Sequence, residues 1–306
     1  MALLQKAVLP RTSEAYLGQG YDRVAGFVVQ AADVAWAGAP ADLFVAHGLG
    51  FPGSPVTPDV AHVDVLRFTP HATSRTENAT GGVDQAGRAR TGGPFVDRPP
   101  FTGLGFVDAP GHVVPLWWLT HTRVPAGAEL VRVHADGTQQ RLATFADVAT
   151  GWVGDAARAT PPTSPRLPRY VGPLARWRGT TLNAEPVGDE VVLASEVEPP
   201  AALGFTRTDA GRWRRVVPLA EVEAMFELMV TARWNGLEMR VVDQWDEAPG
   251  TTVSRVSYVG HDADLAEGLR LPKVDAGVYE ATVPTDRLAE VTPTQLAPRT
   301  WPGATA

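Results

Sequence analysis

Few residues in this chain have the type and spacing for chemistry. His62 and Asp64 stand two apart in an alternating stretch, residues 60–68 (Val-Ala-His-Val-Asp-Val-Leu-Arg-Phe). On a strand, side chains alternate between faces, so both would lie on one side. A later histidine, His121 or His134, would complete the outline of a two-histidine, one-carboxylate iron site. A solvated strand face explains the same pattern with fewer assumptions, so no metal and no cofactor is expected. Arg67 on that strand and Glu129 at the start of another are the remaining charged pair of interest. The common site motifs are missing. There is no Gly-x-x-x-x-Gly-Lys-[Ser/Thr], and the glycines between 81 and 105 lack the strand-to-helix setting of a dinucleotide fingerprint. No Gly-x-Ser-x-Gly occurs, and Ser54, in Gly53-Ser54-Pro55, has no nucleophile elbow around it. Asn78-Ala79-Thr80 is a glycosylation sequon that a cytoplasmic chain would not use. The absence of cysteine removes disulfides, thiolate metal sites and cysteine nucleophiles.

Val65-Leu66-Arg67-Phe68 and Pro125-Ala-Gly-Ala-Glu129-Leu-Val loosely resemble elements of ADP-ribosyltransferases. That resemblance implies a role for Arg67 in holding NAD phosphates. It implies that Glu129 orients the ribose and stabilises an oxocarbenium-like state. The site would then lie within residues 60–135, in an NAD- or nucleotide-consuming enzyme. The Ser-Thr-Ser and Glu/Gln-x-Glu motifs of that family are absent, and Thr73-Ser74 falls in an irregular loop.

The elements that must position such residues read as follows. Residues 24–29 (Val-Ala-Gly-Phe-Val-Val) form a buried strand. Pro40 to His47, closed by Gly48, is a short helix with proline at its first position and glycine past its end. Residues 60–68 are a strand with Val63, Val65 and Phe68 inward. Residues 69–112, rich in Gly, Pro, Thr, Asn and Asp, form a long loop without a period, and such loops are functional or mobile. Residues 113–119 return to a strand. There the adjacent Trp117 and Trp118 face opposite sides, one core and one free for a contact surface. Asp136-Gly137 between two alternating runs marks a hairpin. The prolines at 161, 162, 165 and 168 make residues 154–169 a stiff linker.

Beyond the linker the chain repeats itself. Residues 175–179 read Ala-Arg-Trp-Arg-Gly and residues 232–236 read Ala-Arg-Trp-Asn-Gly. After the first come Leu203, Phe205, Asp209-Ala210-Gly211, Trp213, Pro218 and Val222. After the second come Leu269, Leu271, Asp275-Ala276-Gly277, Tyr279, Pro284 and Leu288. An internal duplication with one indel explains this, with copies at about 170–230 and 231–295. Each copy predicts strands around an Asp-Ala-Gly turn and a closing proline-initiated helix, which in the first extends over Pro218–Met229. The recurring Trp177, Trp213, Trp234 and Tyr279 are expected as core. The fold class is therefore α+β. An antiparallel β-rich N-terminal domain (1–153) precedes a linker (154–169) and an internally duplicated, small β-rich partial-barrel domain (170–306).

Charge separates the same halves. Residues 1–170 hold 14 Lys and Arg against 14 Asp and Glu, whereas residues 171–306 hold 13 against 20, so all of the net −7 lies in the duplicated half. An acidic half disfavours nucleic acid, whose phosphates need cations, and it suits a basic protein partner. Nothing resembles a membrane span or a secretory signal, so a cytoplasmic location is expected. The lack of isoleucine, with two lysines against 25 arginines, reads as a high-GC genome. Arg23-Val-Ala-Gly-Phe-Val-Val29, Val63 to Phe68, Pro100-Phe-Thr-Gly-Leu-Gly-Phe106 and Pro125 to Val131 resemble two-domain actinobacterial proteins with no assigned activity. Asp275-Ala-Gly-Val-Tyr-Glu280 and Val283-Pro284 are similar to immunity-type domains that accompany secreted toxins. The expectation is a cytoplasmic immunity- or antitoxin-like protein that occludes a basic toxin, binding neither nucleic acid nor membrane. The alternative is the ADP-ribosyltransferase-like enzyme.

Overall fold

The structure, a computed structural model, describes residues 2–157 and 166–303. Two open antiparallel sheets hold most of the strand residues, with few helices. The first has eight strands in the order Gly151–Val153, Gln139–Asp147, Glu129–His134, His62–Phe68, Leu4–Val8, Arg23–Gln30, Trp117–Arg123, Thr76–Asn78. The second has eleven, all from residues 173–296, and does not close into a barrel. Among the described residues no helix is long and apolar enough to cross a membrane.

The first sheet is covered on both faces, and this decides what its alternating sequences mean. Val63 and Val65 enter one core with Phe27, Leu43 and Trp118, while Leu66 and Phe68 enter the other with Tyr16, Leu119 and Phe145. Trp117 packs against the second core and is half-buried, so neither tryptophan offers a free surface. The hairpin at Asp136-Gly137 forms as expected, pairing Glu129–His134 with Gln139–Asp147. The helix Pro40–Ala46 also forms.

Residues 69–112 depart from the expected loop. They hold the helix Gln85–Thr91, capped by Asp84 accepting from the Gly87 amide at 2.6 Å, and several short strands. Their glycines let backbone stack directly on backbone. A Cβ at Gly81 would collide with Phe95, and one at Gly103 with Gly81. The composition that looks like loop is here the requirement of close backbone approach.

The second sheet corrects another expectation. Only Leu219–Glu221 of the predicted helix is helical, as a 3₁₀ turn, and Ala224–Trp234 is a strand. That strand pairs with Pro173–Trp177, Leu237–Ala248 and Ala289–Leu296. Three neighbours supply more than a helical spacing of Val222, Met225, Phe226 and Met229 could.

The two Arg-Trp-x-Gly motifs become hairpin turns. Arg178 and Gly179 have φ of 48° and 72°, and Asn235 and Gly236 have 49° and 78°. Positive φ at both central residues is the primed turn that matches strand twist. A 3₁₀ turn follows Pro218 and Pro284 alike. Trp177 and Tyr279 are buried, while Trp213 and Trp234 are half-buried.

Both Asp-Ala-Gly turns grip the first sheet. The turn at 275–277 places Ala276 and Val278 against its core, and a Cβ at Gly277 would meet Trp118 at 3.0 Å and Phe27 at 3.2 Å. Beside the turn at 209–211, the Thr208 hydroxyl donates to the Ala149 carbonyl at 3.0 Å and Arg212 to that of Val148 at 2.6 Å. The two halves are therefore packed on each other. Most of the expected linker, with Pro161, Pro162 and Pro165, lies outside the described residues. Leu167, near its end, is buried with Val148 and Val192.

Candidate functional site: a cationic cleft between the halves

The residues singled out in sequence fall at separate places, with Arg67 and Glu129 brought side by side as expected. Arg67 and Glu129 are direct partners across neighbouring strands. Yet Arg67 donates to Gln5 at 2.8 Å and Gln139 at 3.0 Å, and Glu129 accepts from Arg141 at 3.0 Å. Asp64 is buried, accepting from Arg132 at 2.8 and 3.0 Å and from the Ser13 hydroxyl at 2.5 Å. His62 faces His134, ring centroids 6.2 Å apart, and His121 lies elsewhere with Glu280. Among the described residues no three His, Asp or Glu side chains are grouped to hold a metal. The Ser54 hydroxyl accepts from the Val56 amide at 3.2 Å, and the Ser74 hydroxyl lies 3.1 Å from that of Thr122. Asn78 spends its amide on the carbonyls of Gly105 and Leu116.

A cleft of about 380 Å³ opens where the halves meet. One wall is the helix Pro10–Gln19, through Arg11, Thr12, Ala15, Tyr16 and Gln19. Another is the strand Arg23–Gln30 with Tyr21 before it, and the third comes from the far end of the chain: Asp275, Val278, Glu280 and Arg255. Lys6 and His121 complete it. A strand residue alternates, so Lys6 and Arg67 are on opposite faces of the sheet: Lys6 pairs with Leu66 and Gln5 with Arg67.

Arg23 is the unusual member. It is 7% exposed, and its Nε and Nη1 have no hydrogen-bond partner among the described residues. Burial works against its charge, but Tyr21, Asp22, Glu280 and Asp243 more than offset this. The Tyr21 ring lies 4.9 Å from the guanidinium carbon, and the Tyr16 hydroxyl anchors the Arg23 carbonyl at 2.8 Å.

Around Arg23 the charges are fixed. His121 Nε2 is 2.7 Å from Glu280 Oε1. Burial pushes Glu280 up, but the His121 hydrogen bond and the charges of His121, Arg23 and Arg255 hold it at about 2. Burial pushes His121 below the usual imidazole range, only partly opposed by Glu280. Glu280 is therefore a carboxylate, with the His121 ring within hydrogen-bond distance of it. Lys6 pairs with Asp275 at 2.8 Å and donates to the Phe27 carbonyl at 3.3 Å. Arg11 donates to the Val274 and Lys273 carbonyls. Four cations (Lys6, Arg11, Arg23, Arg255) thus face two carboxylates (Asp275, Glu280) in a protein of net charge −7.

Sequence reasoning missed this set because its members run from Lys6 to Glu280. The one available signal was Lys6, one of only two lysines, inside the strand Leu4–Val8. No family model matches the chain, and no curated protein or solved structure is detectably similar to it.

Proposed function

We propose that the protein binds a small anionic ligand in the cleft between its halves. The carrying observation is Arg23, a buried guanidinium with donors that lack acceptors. Leaving buried donors unpaired costs about 1–3 kcal/mol each. A carboxylate or phosphate oxygen offsets that cost with a charge-assisted hydrogen bond, and guanidinium is the group best suited to planar oxyanions. The surrounding cations raise the local concentration of anions, and the cleft volume is within the range of small-molecule sites. Calorimetry with inorganic phosphate and acetate tests this. Saturable binding, at least tenfold weaker in Arg23→Gln, is expected. No binding at millimolar concentration, or an unchanged Arg23→Gln, would remove the proposal.

Two other readings each have support. The immunity-type reading, in which the C-terminal half occludes a basic toxin, is supported by surface charge. In residues 171–303, twelve acidic side chains are exposed against seven basic ones. The full chain is the reagent for its test, since the Asp275-Ala276-Gly277 turn packs against the first sheet. Association with a basic toxin that weakens as salt rises supports it, and salt-independent or absent association counts against it. The internal duplication and a cytoplasmic location are part of that reading. The enzyme reading is supported by the adjacency of Arg67 and Glu129.

A further inference from the structure

A second hollow adjoins the cleft. It has a volume of about 540 Å³ and is lined by Leu9, Pro10, Phe51, Pro52 and Pro55, with Arg11, Glu14, Lys273 and Asp275 beside them. Arg11 and Asp275 belong to the linings of both hollows. The two spaces therefore share a boundary, and Arg11, itself exposed, is part of it.

The chemistry of the two differs. The first is cationic, with the acceptor-poor Arg23 at its wall. The second is built from a phenyl ring and three prolines, with Lys273 Nζ 5.6 Å from the Phe51 ring centroid. Lys273 is committed to Glu267 at 3.2 Å and Asp97 at 3.7 Å, so its charge is balanced by its own neighbours. Phe51 is 7% exposed, so its ring is a fixed wall. Pro52 and Pro55 are exposed at the rim and lose no rotamer freedom on contact.

Helix geometry orders the two along one line. The cleft follows the helix Pro10–Gln19 from Gln19 to Arg11, while the annex wraps its first turn at Pro10, Arg11 and Glu14. Tyr16, which holds the Arg23 carbonyl, is five residues beyond Arg11, an axial distance of ~8 Å. A ligand held at Arg23 and extending toward the helix start passes Arg11 and enters the apolar annex.

Resting on the anion-binding reading above, we infer that the ligand is an amphiphilic anion: a carboxylate or phosphate head at Arg23, with an aliphatic or aromatic tail in the Phe51–Pro55 annex. A short anion fills only the first space. A longer one also removes apolar surface from water, and each buried methylene strengthens binding by about two- to fourfold. Because the tail must first span the ~8 Å to Arg11, the gain begins partway through a homologous series.

The test is calorimetry of the full chain with acetate, butyrate, hexanoate and octanoate, and in a second arm with methyl and hexyl phosphate. The two arms distinguish carboxylate from phosphate heads. Affinity is expected to stay nearly level through hexanoate, whose chain falls short of the ~8 Å span, and to rise at octanoate by about two- to fourfold per methylene that enters the annex. Pro55→Glu, at an exposed position that puts a charge on the annex rim, should flatten the rise and leave acetate binding unchanged. Phe51→Ser is the second variant, with the same expectation. A flat series in the native protein overturns the annex while the anion-binding reading stands. A rise unaffected by Pro55→Glu and Phe51→Ser overturns the placement of the tail. Failure of acetate and methyl phosphate to bind at all overturns the underlying reading itself.

Discussion

Gly26 and Val278 lock the two halves together. A Cβ on Gly26, which has φ of +91°, would stand 2.7 Å from Val278 Cγ2. Val278 is itself 2% exposed in the core of the first sheet. The apposition of a residue from each half means that the cleft's walls share a rigid seam.

Gly26→Ala is therefore expected to destabilise the protein by about 2 kcal/mol or more, from overpacking and from the left-handed backbone. Val278→Ala relieves the contact but leaves a void. The double variant should be less destabilised than the sum of the two, which a double-mutant cycle by urea unfolding reads directly. Additive effects would show that the two residues do not share this contact.

Arg23→Met tests stability and binding together. Tyr21 and the neighbouring carboxylates more than offset the burial of Arg23, so Met leaves Asp22 and Glu280 less compensated and should lower the melting temperature without anion. The rise in melting temperature that phosphate produces in the native protein should vanish. Thermal unfolding with and without phosphate checks both. A variant that still responds to phosphate would reverse the assignment.

Glu185 and His71 shape the pH dependence of stability. They lie 3.5 Å apart, both buried. Burial pushes Glu185 up to about 8, against the opposing Ala126 amide and Arg123, and pushes His71 down to about 3. For Glu185 the folded pKa exceeds the unfolded one near 4.5, so its contribution is present below 4.5 and falls as pH rises to 8. For His71 the folded pKa is below the unfolded one near 6.5, so stability is lost as pH falls from 6.5 toward 3. The two slopes oppose each other between 4.5 and 6.5, and Glu185 acts alone from 6.5 to 8. Stability should fall by on the order of 2 kcal/mol over that upper window. Glu185→Gln, which keeps an acceptor for the Ala126 amide, should abolish the fall in urea unfolding series at pH 6.5 and 8.

Incubation with NAD distinguishes the enzyme reading. With Arg67 held by Gln5 and Gln139, and Glu129 by Arg141, no nicotinamide release is expected from the native protein. Release that Glu129→Gln abolishes would instead establish that reading. Release that survives Glu129→Gln would place catalysis at other residues.

Local chemistry was legible wherever the answer depends on a few consecutive residues. Proline at the first position of Pro40–Ala46 and glycine just past its end bounded a helix, and Asp136-Gly137 made a hairpin, because each depends on φ preferences within a turn. Alternation in His62–Phe68 revealed a strand, but not that both its faces are covered. Helical spacing in Pro218–Met229 misled, because Ala224–Trp234 gains three strand partners far away in sequence.

The site shows the same division more sharply. Residue types and local spacing established a β-rich, cysteine-free chain with an acidic, self-similar second half. They could not place Arg23 beside Glu280, or His121 against it, because no local rule links positions so far apart. Long-range strand pairing brings these groups into one cleft and withdraws them from water. That withdrawal, which leaves Arg23 charged and short of acceptors, arises only once the halves have packed.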